Sequence, residues 1–191
     1  MGWTEWLGVI TGALCVILTV RRHVGNFPVG IANNVFFFIL FVDAGLYADS
    51  GLQVVFLLLG IQGWWLWLHG GEDRGPLEIR PLDRHTATGT AAGIAIATAV
   101  MTWILATYTD STVPFWDALT TALSLGAQWL LNRKHVANWY VWIVADVIYV
   151  ALFLYKDLRL TAVLYAGFLG LCVLGLRQWK RAAPQRELLA A

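Results

Sequence analysis

Arg21-Arg22-His23-Val24-Gly25-Asn26-Phe27 returns 112 residues later as Arg133-Lys134-His135-Val136-Ala137-Asn138-Trp139. The register continues without a gap: Val29 lies over Val141, Ile31 over Ile143, Leu40 over Leu152 and Phe41 over Phe153. It closes with Gly63 over Gly175 and Trp67 over Trp179. From Arg21 to Trp67, 16 of 47 positions are identical. Apolar segments resemble one another by composition alone, which accounts for the Leu and Val matches. Composition does not produce a repeated charged turn, a repeated Gly-x-x-x-Trp ending and an ungapped register between them, so the chain reads as an internal duplication.

The segments between these turns are long and apolar. Of the 191 residues, 59% are hydrophobic and 13% charged, against about a quarter charged in an ordinary soluble domain. A helix crossing the hydrocarbon core needs about 20 mostly apolar residues. That rule predicts seven transmembrane helices, over 3–20, 27–45, 50–69, 87–108, 115–131, 138–155 and 159–178. Breaks fall at Arg21–His23, Asp43–Ser50, Asn132–Val136 and Lys156–Arg159. The one longer connection, Gly70 to His85, is polar and carries Pro76 and Pro81. The start, Met1-Gly2-Trp3-Thr4-Glu5, lacks the positive n-region of a signal peptide, so the first run is expected to be retained as a helix.

The duplication gives an all-α integral membrane protein with a 3+1+3 parallel repeat. Residues 1–69 form the first three-helix repeat, 70–108 the loop and linker helix, 109–179 the second repeat and 180–191 a cytoplasmic tail. A single linker helix sets both triplets in the same orientation, as in SWEET transporters, so two similar bundles can rock around a central site in alternating access. All Lys and Arg residues except Lys156 and Arg159 fall on the face that holds the C-terminus. The positive-inside rule therefore predicts the N-terminus outside and the C-terminus in the cytoplasm.

Within the apolar runs a few polar residues stand out. An Asp at mid-helix costs about 2.5–3.5 kcal/mol even on the lenient insertion scale, and Asp146 lies inside the sixth span. Trp139, Trp142 and Asp146 stand at i, i+3 and i+7 and share a helix face. A carboxylate beside two indoles suits an organic cation, since the acid supplies charge and the rings supply stacking and cation–π attraction. The alternative is that Asp146 hydrogen-bonds a neighbouring helix while the tryptophans form an interfacial belt. The repeat partner of Asp146 is Asn34, beside Asn33. Gln53, Gln62, Trp64 and Trp67 mark the third span; Ser124 and Gln128, at i and i+4, share a face of the fifth. Such amides and hydroxyls either bond another helix or hold a polar substrate such as a ribose.

Other classes of function find no support in the sequence. Cys15 and Cys172 lie inside apolar runs and read as buried thiols that act as small hydrophobes. His23 and His135, in matching turns beside basic residues, read as cytoplasmic interfacial groups. No G-x-x-x-x-G-K-[ST] loop is present, and no His, Cys and carboxylate spacing suits a catalytic metal. A non-enzyme without cofactor is expected, with no nucleic-acid partner at a net charge of +1.

Several of these residues, taken as a set, resemble the PnuC-type vitamin transporters. The stretch Pro114-Phe-Trp-Asp117, Ala122-Leu-Ser124, Gln128-Trp129, Arg133-Lys134 and Asn138-Trp139-x-x-Trp142-x-x-x-Asp146 is similar to that family's C-terminal half, continued by Thr161 to Tyr165 and by Gly175-x-x-x-Trp179. Gly30-Ile-Ala-Asn33, Leu46-Tyr47-Ala48, Leu52-Gln53 and Gly63-Trp64-x-x-Trp67 match in the first half. The resemblance implies a SWEET-like fold in the bacterial cytoplasmic membrane. It also implies uptake of nicotinamide riboside by facilitated diffusion, with cytoplasmic phosphorylation trapping the substrate. It carries the substrate pocket onto Gln53, Asn33, Trp139, Trp142 and Asp146. Some members carry Asn where this chain has Asp146, and relatives that move thiamine or riboflavin share the scaffold, so those vitamins are the alternatives. A homo-oligomer and a monomer both fit the sequence.

Overall fold

The computed structural model describes residues 3–43, 47–155, 157 and 159–183. Seven α-helices run through the described residues: α1 (Trp3–Val20), α2 (Asn26–Asp43), α3 (Tyr47–His69), α4 (Arg84–Tyr108), α5 (Pro114–Asn132), α6 (Asn138–Tyr155) and α7 (Arg159–Ala182). Each expected span has its helix. The tail expected over 180–191 lies outside the described residues from 184 onward, as does part of the break expected at 43–50.

Five helices are long and apolar enough to cross a membrane, within α2, α3, α4, α6 and α7. In α1 the described apolar stretch is Ile10–Val20. Helix α5 is different because Asp117, Thr121, Ser124 and Gln128 follow one another at helical spacing and make a polar stripe. Its small residues Ala118, Ala122 and Ala127 are fully enclosed while Phe115, Trp116 and Trp129 are exposed, so α5 buries one face. Elsewhere large apolar side chains point outward, among them Leu58, Ile96, Trp103 and Val163, an arrangement suited to hydrocarbon and unsuited to water.

The chain divides into two compact units. The first comprises residues 1–78 with 132–134, the second 79–131 with 135–191. In the first, α2 packs against both α1 and α3. Phe27 sets its ring edge-on to Trp67, with centroids 5.0 Å apart and planes at 88°. Gly63 lies beneath, where an added Cβ would collide with Phe27 and with Asn132. Asn132, at the end of α5, donates Nδ2–H to the Leu59 carbonyl at 2.8 Å. In the second unit α6 packs along α7. Trp139 meets Trp179 edge-on at 5.5 Å and 85°, and a Cβ on Gly175 would collide with the Trp139 ring.

These two arrangements occupy positions 112 residues apart. The turns that precede them share backbone bonds and a left-handed residue. After α1, Arg22 takes a left-handed conformation with φ 60°, and His23 N–H reaches back to the Leu18 carbonyl at 2.9 Å. After α5, Lys134 has φ 53° and His135 N–H donates to Leu130 at 3.0 Å. A left-handed residue followed by a 6→1 bond is the Schellman way of satisfying the last carbonyls of a helix. Asn26 N–H then donates to His23 at 3.1 Å, and Asn138 N–H to His135 at 3.1 Å, as the next helix starts.

The connection after α3 is folded rather than loose. Leu77 is buried, its N–H donating to the Trp67 carbonyl at 3.1 Å and its own carbonyl receiving Lys134 Nζ at 2.6 Å. In the second unit Val136 N–H donates to Arg80 at 3.2 Å, and His135 Nδ1 lies 2.8 Å from the Pro81 carbonyl. A carbonyl only accepts, so that ring nitrogen carries the proton.

Candidate substrate site

Helix α6 carries one charged residue. Asp146 lies two turns beyond Trp139 on the face turned to α7, and only 4% of its surface is exposed. Because α6 and α7 run antiparallel, residues ascending α6 meet residues descending α7. Trp139 meets Trp179, Asp146 meets Cys172 seven residues earlier, and Tyr149 and Phe153 meet Tyr165. Cys172 Sγ–H donates to Asp146 Oδ2 at 3.3 Å. Beyond the acid, Tyr149 lies 4.8 Å and Phe153 5.0 Å from Tyr165, centroid to centroid, and Phe168 stands edge-on to Tyr165 at 5.7 Å. The seam thus runs from an indole pair, through a carboxylate and thiol, to a cluster of four rings. Chemically it is one acid between an enclosed indole pair and a half-buried cluster of rings.

The other expected residues have distinct surroundings. Trp142 is half-buried on α6. Ser124 is buried and spends its hydroxyl proton on the Thr120 carbonyl at 2.9 Å, while Gln128 is half-buried four residues on. In the first unit Asn33 donates Nδ2–H to Thr11 Oγ1 at 2.6 Å, so it ties α2 to α1. Asn34 and Gln53 are half-buried, and Trp64 is exposed. Trp67 is taken up by the Phe27 packing, with the Lys134 ammonium 4.4 Å above its ring. Trp139 is likewise enclosed, 1% exposed, with its Nε1–H buried and unpartnered among the described residues. Both indoles thus hold helix pairs together.

Outside the spans, burial followed by the nearby Arg22 pushes the Lys134 ammonium down from its ordinary value, with Glu78 opposing. Asp83 caps α4 by accepting Thr86 N–H at 2.9 Å, and its bonding to Thr86 holds its carboxyl below the ordinary value.

Sequence reasoning missed Cys172 as a partner of the acid, because a thiol in an apolar run reads as a small hydrophobe. A signal did exist. Cys172 precedes Trp179 by seven residues and Asp146 follows Trp139 by seven, so an antiparallel pair anchored on the two indoles brings acid and thiol level.

The sequence matches the family described as nicotinamide mononucleotide transporter over residues 2–181. The chain belongs to this family. Its PnuC-type relatives include the nicotinamide riboside transporter PnuC of Escherichia coli K12, 27% identical over an alignment covering 97% of this chain and 88% of that one. The riboflavin/roseoflavin transporter RibM of Streptomyces davaonensis is 23% identical, covering 93% and 84%. The crystal structure of the vitamin B3 transporter PnuC superposes with a TM-score of 0.71 at 21% identity, over 94% of this chain and 81% of that one, so the fold is shared. This is a membrane transporter of the PnuC family and not an enzyme.

Proposed function

We propose that this chain takes up nicotinamide riboside across the bacterial cytoplasmic membrane by facilitated diffusion with alternating access. Phosphorylation in the cytoplasm then traps the substrate. The observation that carries the reading is Asp146, a buried acid and the one charged residue of α6 in a PnuC-family chain, with rings to either side. Nicotinamide riboside is a pyridinium cation bearing a neutral ribose. It needs a counter-charge, aromatic surface and sugar-bonding amides. Asp146 supplies the first and Trp142 the second, while Asn34, Gln53 and Gln128, with Trp64, are the proposed partners of the remainder. Asn33, Trp67, Ser124 and Trp139 act on the site through the helices they hold.

The matching Schellman turns and matching ring-on-glycine contacts support a duplicated 3+1+3, SWEET-like architecture. The distribution of Lys and Arg supports an outer N-terminus and a cytoplasmic C-terminus. Riboflavin is the second reading, favoured by the relative RibM, but a neutral flavin gains less from Asp146. Thiamine, a cation, fits the charge equally. Titration of the purified protein with all three vitamins tests the reading. Saturable binding of nicotinamide riboside, at least tenfold tighter than the other two on the order-of-magnitude scale of one strong contact, is the expected result. Preference for thiamine or riboflavin, or binding of none, overturns it.

A further inference from the structure

The acid that carries the proposed function is held by Cys172, to which that function gives no role. Cys172 is 5% exposed and Asp146 is 4% exposed, and the Sγ–Oδ2 distance of 3.3 Å lies within sulfur hydrogen-bonding range. Asp146 Oδ1 has no hydrogen-bond partner among the described residues. The thiol therefore engages one carboxylate oxygen and leaves the other for something else.

The repeat sharpens the point. At the 112-residue offset Asp146 lies over Asn34, and Cys172 lies over Gly60. At these two positions the first copy has a neutral amide and a glycine, and a Cβ on that glycine would meet Ile31; the second has an acid that receives a hydrogen bond from the thiol. Both members of the pair differ together, as expected if the donor serves the charge. Burying a carboxylate is costly without a partner, yet a strong cationic partner such as Arg or Lys would neutralise it and leave nothing for a cationic substrate. A thiol is a weak, uncharged donor. It can fix the direction of the carboxylate while leaving its charge uncompensated.

We infer that Cys172 is a positioning residue: it orients the Asp146 carboxylate so that the free oxygen, Oδ1, meets the positive charge of the substrate, and so contributes to selection of a cationic over a neutral vitamin. The inference rests on the proposed function, and its test separates the two. Binding of nicotinamide riboside and of its neutral, reduced dihydro form is measured on wild type, Cys172→Ser, Cys172→Ala, Cys172→Val, Asp146→Asn and the Cys172→Ala/Asp146→Asn double variant. Serine keeps a donor and should bind within about twofold of wild type. Alanine and valine remove it, and each should weaken binding of the cation by about threefold to tenfold, the scale of one weak hydrogen bond to a charge, with little change for the neutral form. Alanine underfills the site and valine overfills it, so agreement between the two separates donation from packing. On the Asp146→Asn background the alanine change should add nothing.

Wild type that binds the cation while alanine and valine variants bind it equally well overturns the positioning role and leaves the proposed function standing. So does equal weakening of the cation and the neutral form, or a full additional loss in the double variant. Wild type that binds neither form overturns both.

Discussion

At Gly175 the Trp139 ring occupies the space that a side chain would need, and Gly63 stands in the same relation to Phe27. Gly175→Ala should therefore force the α6–α7 pair apart and destabilise the protein by about 1–3 kcal/mol, the usual range for overpacking. Thermal unfolding in detergent reads this directly, with Gly167→Ala as a control, since a Cβ there meets nothing. The acid is expected to matter for ligand rather than for fold. Asp146→Ala should weaken binding of a cationic vitamin by about tenfold or more, the scale of one hydrogen-bonded charge, whereas Gln62→Ala, on an exposed residue, should leave it nearly unchanged. Titration of both variants checks the order, and equal small effects would remove Asp146 from the site. At this scale the sequence was legible wherever a residue type was out of place. An acid in an apolar run announces itself; a cysteine in the same run does not. Helical spacing also gave Trp139, Trp142 and Asp146 one face, but spacing says nothing of what that face meets. Trp139 meets Trp179 and Gly175, and Asp146 meets Cys172.

Helices were the most readable level, because hydropathy and length define a span without reference to its neighbours. The exception is informative. Helix α5 has span length, yet its stripe of Asp117, Thr121, Ser124 and Gln128 lowers its apolarity below that of the five clear membrane-span helices. The connection from Gly70 to Asp83 was legible only as a polar segment with two prolines. Its contacts with the turn after α5 are an isolated backbone bridge and single bonds from the Lys134 and His135 side chains, which leave no periodic trace in a sequence. Two predictions belong here. His135→Ala leaves the Pro81 carbonyl without the ring N–H, an expected loss of about 1–3 kcal/mol, and should raise amide hydrogen exchange at Val136, which is bonded to Arg80. Unchanged exchange at Val136 would mean that the tie does not hold the connection. Asp83→Ala removes the cap of α4 and should lower the melting temperature at neutral pH. Since Thr86 holds the Asp83 carboxyl below its ordinary value, the ionised form favours the folded state. Its contribution is complete above the pKa of an unfolded Asp and is lost as pH falls through the lowered native value. The melting difference between wild type and Asp83→Ala should therefore shrink on acidification; a difference that grows would reverse the sign.

For the molecule as a whole, duplication was visible in the sequence because charged turns are rare enough to align. The structure repeats the backbone bonds that close those turns, with Arg22 and Lys134 both left-handed, while His23 Nδ1 accepts Gly25 N–H and His135 Nδ1 meets the Pro81 carbonyl. What the two halves do not share is chemistry: Asn34 and Gly60 in one stand where Asp146 and Cys172 stand in the other. With an acid at this position in one copy and an amide in the other, the proposed site ties substrate charge to the second copy. The most direct test is uptake of labelled nicotinamide riboside into proteoliposomes containing the purified protein, with and without imposed proton and sodium gradients. The account predicts saturable uptake that stops when internal and external concentrations are equal, runs alike under every gradient and is largely lost in Asp146→Ala. Uptake no faster than in protein-free liposomes would contradict it.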